Sequence, residues 1–472
     1  MTIISNIQVI DAPCGSGKTS WAIQEMNAHP ERSYVFCTPY LDEIKRVREA
    51  CGFERFAAPS YNGGITKLES FNNLLSMGLD ICVTHATFLN ATPETVNLIA
   101  EGGYTLILDE AIDAVQCFND VQSVKSNERQ KMSQTDVKDF IANNLLTIYG
   151  DNKVAWTGIG GVGGEDSKFS EVKKFADLGR LYCTDGQELL VSFPTELFAA
   201  FENVYVMTYI FNGVLLCPYF QKFNIDYTRY SVKLDNEKYI LVPYTESDDL
   251  WFRKEFQRLV TIYPDERFDG DTPYRKRPEL SSNWYKRSSK AEKDRLKRYV
   301  YNFFHNRMRS FGSKCENVMW TCPKDYQNQI RGQGYTCRRN LTADENKLPK
   351  ADRDKLREEL SLFVPCNARA TNKYSDRWAL AYCCNMFIKP EMKAFFKSEN
   401  QERILQGLEP VEVNEDAYAL ACLIQWIYRS RIRKRKDAQG RALPDDERRI
   451  HLYIPSKRMR DLLINWMNCK DV

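Results

Sequence analysis

The residues whose types and spacing point most directly to chemistry lie near the start of the chain, at Ala12-Pro13-Cys14-Gly15-Ser16-Gly17-Lys18-Thr19. An apolar run, Ile7 to Ile10, precedes them and reads as a buried strand. Ser20 to Met26 follows and reads as a helix. Strand, glycine loop and helix form the context in which a phosphate loop works. Gly15 and Gly17 let the backbone curl until successive N–H groups point at phosphate oxygens. The helix N-terminus adds partial positive charge. Lys18 is the group to reach the β and γ phosphates, and Thr19 offers a hydroxyl to Mg²⁺. Gly15, Ser16, Gly17, Lys18, Thr19 and Ser20 are therefore the candidate ATP-binding residues.

A second constellation stands roughly 90 residues further on, where the strand-like run Tyr104 to Leu108 ends in Asp109-Glu110-Ala111-Ile112. An apolar strand that delivers an acidic pair at its end can serve a bound nucleotide. Asp109 then holds Mg²⁺, directly or through water, and Glu110 orients and polarises the attacking water. Alone, Asp-Glu after a strand is a weak signal, because acidic residues also open helices. Behind a phosphate loop it is a strong one.

Three further strands carry polar tips: Tyr34 to Pro39, Ile81 to Thr87 and Val204 to Tyr209. In the second half, Asn317 to Thr321 reads as the first strand of another α/β unit, and Leu362 to Asn372 as a strand with the tip Ala370-Thr371-Asn372. From Ala417 to Tyr428 the apolar residues recur at helical spacing, and the helix delivers Gln425, Arg429, Arg431 and Arg433. From Gln425 to Arg460 there are twelve Lys or Arg against four Asp or Glu, a density that suits a polyanion.

Bulk properties bound these readings. At 472 residues the chain is too long for one core, so more than one domain is expected. A formal net charge of +3 says little about partners, and any nucleic-acid surface has to be local. No basic segment followed by a long apolar run opens the sequence, and no stretch of about 18 apolar residues occurs, so neither a secretory signal nor a membrane span is expected. The fifteen cysteines lack zinc-site spacing, and with four histidines they read as reduced, mostly buried thiols in a cytoplasmic protein. Gly158 to Gly164 is glycine-dense but leads into no lysine or helix, so it reads as a loop. Between 245 and 300 prolines and charges rise, at Pro264-Asp265-Glu266-Arg267 and Pro273 to Pro278, followed by Trp284-Tyr285-Lys286-Arg287. Interleaved rings and cations there could stack on bases and follow phosphates, or could belong to a solvated linker whose aromatics pack on a neighbouring domain.

Taken together, AxxGxGKT with Ala12 in place of the first glycine, DEAI, the Ala370-Thr371-Asn372 tip, QWIYRSRIR and the terminal YIPSKRMRDLL resemble virus- or phage-encoded DEAD/DEAH-like helicases of superfamily 2. The resemblance covers both ends of the chain. It implies an α/β protein of two RecA-like P-loop domains in tandem with an inserted basic and aromatic segment: residues 1–244 holding the phosphate loop and DEAI, 245–300 a linker or insertion, and 301–472 a second RecA-like domain. ATP and Mg²⁺ are the implied cofactors, and single-stranded DNA or RNA the implied partner, with replication proteins beside it. Thr38, Pro39, Thr84, His85, Thr371 and Asn372 fall where such enzymes touch nucleic acid, and Thr208-Tyr209 where they couple ATP to the cleft. Gln425, Arg429 and Arg433 fall where arginines engage the γ-phosphate and, with Lys18 and Glu110, make up the expected catalytic set. Tyr428 stands where that pattern has glycine and Ile432 where it has its last arginine, so Arg433, one step later, is taken in preference to Arg431. A phage packaging ATPase is the alternative, but it needs an acidic nuclease where this chain is basic. An ATP-switched binding protein without turnover is a third, opposed by intact Lys18, Thr19, Asp109 and Glu110.

Overall fold

The computed structural model describes residues 6–52, 54–121, 132–158, 169–263, 278–366, 373–437 and 439–470. Parts of the readings above lie outside these residues: most of the Gly158 to Gly164 run, Pro264 to Arg267, Pro273 to Arg277, and the tip Ala370-Thr371-Asn372. The chain divides into two units. The first is Met1–Thr245 with Ile388–Asn414, and the second is Glu246–Phe387 with Glu415–Val472.

In the first unit, short apolar runs form β1 (Asn6–Asp11), β2 (Ser33–Thr38), β3 (Phe56–Ala57), β4 (Asp80–Thr84) and β5 (Tyr104–Asp109). The chain then leaves the sheet for an insertion with β6 (Val115–Cys117), β7 (Leu146–Ile148), β8 (Val154–Trp156), β9 (Leu181–Thr184) and β10 (Glu188–Ser192). It returns through β11 (Asn203–Thr208), β12 (Thr228–Asp235) and β13 (Lys238–Pro243). The main sheet has eight strands in the order β13-β12-β1-β11-β5-β2-β4-β3. All its pairings are parallel except the β12–β13 hairpin. That hairpin turns through Asn236 and Glu237, both at positive φ, the backbone that a tight two-residue turn demands. The insertion folds on its own core of Phe118, Val137, Phe140, Val172, Phe175 and Leu181.

The second unit holds β14 (Val260–Tyr263), β15 (Val318–Thr321), β16 (Ala379–Tyr382) and β17 (Ile450–Tyr453), a parallel sheet in the order β14-β17-β16-β15. The helix Glu415–Ile427 lays Leu420, Leu423, Ile424, Trp426 and Ile427 into its core, where Trp426 meets the Tyr382 ring at 5.2 Å.

Two features depart from the sequence reading. The described part of 245–300 is no separate linker. It forms the helices Leu250–Leu259, Ser282–Arg287 and Lys290–Asn302 and β14, all in the second unit. Trp284 and Tyr285 are 3% and 0% exposed, and the Tyr285 hydroxyl donates to the Cys383 carbonyl at 2.7 Å, so these rings are core rather than a platform for bases. The second departure is Ile388–Asn414, which leaves the second unit and folds with the first. Phe395 and Phe396 enter the main core, Phe395 edge-on to Tyr182 at 5.0 Å. Lys222, almost wholly buried, is neutralised by Glu399, and Arg403 donates to Asn224 Oδ1 at 2.9 Å. Truncating a fully buried phenylalanine leaves a cavity as well as lost transfer energy. Phe395→Ala is therefore expected to destabilise the first unit by about 3–5 kcal/mol in urea unfolding. A loss below about 1 kcal/mol would mean the segment is only loosely docked.

Candidate functional site

Parallel pairing in register brings the tips of β1, β11, β5, β2 and β4 to one edge. Asp11 lies opposite Thr208, Met207 opposite Asp109, Cys37 opposite Leu108 and Thr38 opposite Thr84. The carboxyl ends of a parallel sheet are where such folds bind ligands. The loop after β1 turns through Gly15 at φ 73° and Gly17 at φ 103°, conformations that a residue with a Cβ adopts only at a cost, and Gly17 caps the helix Lys18–Ala28. A Cβ on Gly17 would also fall 2.0 Å from the Tyr239 ring of β13. The Lys18 amine donates to the carbonyls of Ala12 at 2.5 Å and Pro13 at 3.0 Å, so it lies at the centre of the loop. Burial lowers its pKa, while the charges of Cys14, Asp11, Asp109 and Glu110 act the other way.

Asp109 is held from two sides. Thr38 Oγ1 donates to its carboxylate at 3.1 Å, and His85 Nε2 lies 3.0 Å from its carbonyl. A carbonyl only accepts, so the His85 proton sits on Nε2. Burial, then the charges of Glu110 and Glu43, push the Asp109 carboxyl up to about 7. Glu110 follows at φ 65°, a left-handed backbone that costs a residue with a Cβ roughly 1–2 kcal/mol. Such strain persists where the surroundings hold it and is common at working sites.

The sequence-predicted residues thus sort by position. Gly15, Ser16, Gly17, Lys18, Thr19 and Ser20 form the loop and first helical turn, on the same edge as Asp109 and Glu110. Thr38, expected against nucleic acid, is 0% exposed and its hydroxyl serves Asp109; His85, also expected there, is 6% exposed and faces the Asp109 carbonyl. Thr38 thus contacts the Asp109 carboxylate, and His85 the Asp109 backbone. Pro39 and Thr84 are half-buried, and Thr84 Oγ1 accepts from Thr87 N at the start of a short helix. Thr371 and Asn372 lie outside the described residues. Gln425, Arg429 and Arg433 belong to the second unit. Arg429 is 3% exposed, and Arg433 lies over the Tyr428 ring at 5.9 Å. Arg431 donates to the Arg449 carbonyl at 2.5 Å and stacks on Trp378. Much of the basic run is spent internally: Arg435 and Arg448 share the buried Glu255 at 2.8 and 2.7 Å, and Arg458 pairs with Asp416.

Sequence reading missed Asp11. It is 2% exposed, accepts from Phe211 N at 3.0 Å and pairs with Arg229 at 2.6 Å, while Ala12 N donates to the Thr208 carbonyl at 3.1 Å. These contacts fasten the phosphate loop to the turn after β11. Burial nonetheless raises the Asp11 carboxyl, against the pull of Arg229. Removing the guanidinium leaves a buried carboxylate unpaired, so Arg229→Met is expected to lose about 3–5 kcal/mol. A raised folded pKa means that stability falls as pH rises, so the loss is larger at pH 8 than at pH 5. Asp11→Asn in the same chain should recover most of it. Equal losses at both pH values would show that the pair carries no buried charge.

The residues present fit a triphosphate and a divalent cation. Ser16 Oγ is shut off from water and has no hydrogen-bond partner among the described residues. The charges of Glu43 and Glu110 crowd Asp109 in a way a cation would relieve. Among the described residues no group of three His, Cys, Asp or Glu could hold a metal by itself. That is compatible with magnesium, which keeps waters and phosphate oxygens as ligands.

Fold and edge together define a protein of tandem RecA-like α/β units. Over 99% of this chain and 96% of the other, a solved structure titled XPD_APO shares the fold with a TM-score of 0.52 at 14% identity. Residues 254–467 match the family described as the YonV C-terminal Rossmann-like domain. Over 98% of its length the chain is 31% identical to 99% of the SPbeta prophage-derived uncharacterized protein YonV of Bacillus subtilis (strain 168). The chain belongs to the YonV family.

Proposed function

We propose that the chain is an ATP-driven helicase or translocase of the DEAD/DEAH-like superfamily 2 type, moving along or unwinding DNA or RNA. The observation that carries this is the meeting of Lys18, Asp109 and Glu110 on one sheet edge, with Asp109 crowded by carboxylates and braced by Thr38 and His85. Bound ATP would supply the phosphoryl group that is transferred to water. Gly15, Ser16, Gly17, Lys18, Thr19 and Ser20 hold its phosphates, and Thr19 and Asp109 the Mg²⁺. Glu110 accepts the proton of the attacking water. Gln425, Arg429 and Arg433 are assigned to the charge that develops at the γ-phosphate on the strength of the sequence resemblance alone. Pro39, Thr84, Thr371 and Asn372 remain the nucleic-acid candidates. With a prophage-derived relative, and no helix among the described residues long and apolar enough to cross a membrane, the host cytoplasm is the proposed location.

ATPase rates measured with and without single-stranded DNA and single-stranded RNA test the reading. Stimulation of at least tenfold by one polymer is expected, and it names the strand. Hydrolysis indifferent to both would leave an ATPase that is no nucleic-acid motor, and ATP binding without hydrolysis would leave a switch.

A further inference from the structure

The second unit contains a cavity of about 320 Å³ that plays no part in the reading above. Its shape begins in the sequence after Lys290. The helix Lys290–Asn302 runs into a π-helical turn, Phe303–Met308, then a 3₁₀ turn, Arg309–Phe311, that ends on Gly312 at φ 81°. Wide turns of this kind re-aim side chains and recur at functional sites. Here His305, Arg309 and Lys314 line the cavity together with Phe304, Val318 and Gln333. None of the residues lining it is acidic. Among the described residues neither Arg309 nor Lys314 forms an ion pair of the kind that holds Arg339, Arg357 and Arg458.

The hydrogen bonds around His305 fix its state. Arg309 Nη1 lies 2.9 Å from His305 Nε2, and His305 Nδ1 lies 3.2 Å from Asn306 Oδ1. A guanidinium only donates, so Nε2 accepts and the proton is on Nδ1, facing Asn306. The Asn306 amide in turn donates to Asn302 Oδ1 at 3.2 Å, and the Tyr301 ring stacks on the imidazole at 4.7 Å. The neutral histidine therefore aims the guanidinium without cancelling its charge. An aimed arginine and a second cation, in a concavity of nucleotide size whose lining includes Phe304 and Val318, suit a phosphate ester.

We propose that this cavity is a second, separate phosphate-recognising site, taking the phosphate of a nucleotide, either free or carried on a strand, at Arg309 and Lys314. It does not depend on the phosphate loop. The full-length chain with Lys18→Ala, to silence that loop, is the background for the test. Calorimetric titrations use AMP and single-stranded DNA octamers ending in a 5′-phosphate or a 5′-hydroxyl, against this chain and against the same chain carrying Arg309→Ala and Lys314→Ala. Both side chains are exposed, so the melting temperature should not move. The double change is expected to weaken binding at least tenfold. Loss with AMP assigns a free nucleotide. Loss with the phosphorylated octamer alone assigns a strand end, and equal loss with both octamers assigns an internal phosphodiester. Unchanged affinity for every probe, or no binding of any probe to the chain that keeps both cations, overturns the proposal.

Discussion

The Lys18→Ala chain is expected to hydrolyse ATP on the order of 10²–10³-fold more slowly than the wild type, the loss typical of removing one fixed donor from a developing charge. The amine now lies against the carbonyls of Ala12 and Pro13, at the centre of a curled loop that needs Gly15 and Gly17 at positive φ. It is a desolvated cation facing Asp11, Asp109 and Glu110. A γ-phosphate placed there would exchange two carbonyl contacts for a charged one, and alanine cannot make that exchange. The fold should survive, because the loop's other ties are backbone bonds such as Ala12 N to the Thr208 carbonyl. Circular dichroism and the melting temperature establish that the protein is intact. Wild-type turnover by the variant would take the phosphate loop out of the chemistry.

What could be read from sequence was local. Ile7 to Lys18 and Tyr104 to Glu110 each carry strand, turn and chemistry within about a dozen residues, so their elements and their meeting at one edge followed from pattern. The braces did not. Thr38 reaches Asp109 across 71 positions and Arg229 reaches Asp11 across 218, and a threonine at a strand tip looks alike whether it faces solvent or a half-buried carboxylate. An aspartate just before a glycine loop reads as the start of that loop, and only burial reveals it as a post. Trp284 and Tyr285 stayed open to two readings for a related reason. Beside Lys286 and Arg287 they look like a surface for bases, but a short helix turns its rings inward and its cations outward. Phe395 and Phe396 announce a buried face without saying which core receives it. Arg435 and Arg448 add apparent basicity that the buried Glu255 absorbs.

The same logic gives Asp109→Asn two effects of opposite sign. At pH 8 and without divalent metal the wild-type chain carries a charged Asp109 that burial and Glu110 disfavour. Its carboxyl rises from 3.8 to about 7 on folding, roughly three units at about 1.4 kcal/mol each. Because the folded state keeps the proton longer, stability falls as pH rises from about 4 to 7, by at most about 4 kcal/mol. Solvent on the half-buried side reduces that to about 1–3 kcal/mol. Asparagine still accepts from Thr38 and carries no charge, so the variant should unfold at a higher temperature than the wild type at pH 8, with the gap closing towards pH 4. Its Mg²⁺-dependent turnover should fall by on the order of 10²-fold or more, because the carboxylate proposed to hold the ion is gone. Added Mg²⁺ with a nucleotide should raise the wild-type melting temperature by more than that of the variant, which keeps the phosphate loop but not the carboxylate. A variant less stable than wild type at pH 8 would mean that Asp109 is paired and structural, and that the cation belongs elsewhere. The pairing of higher stability with lost turnover is what a carboxylate kept uncomfortable for the sake of a metal ion predicts, and a merely structural aspartate would show neither.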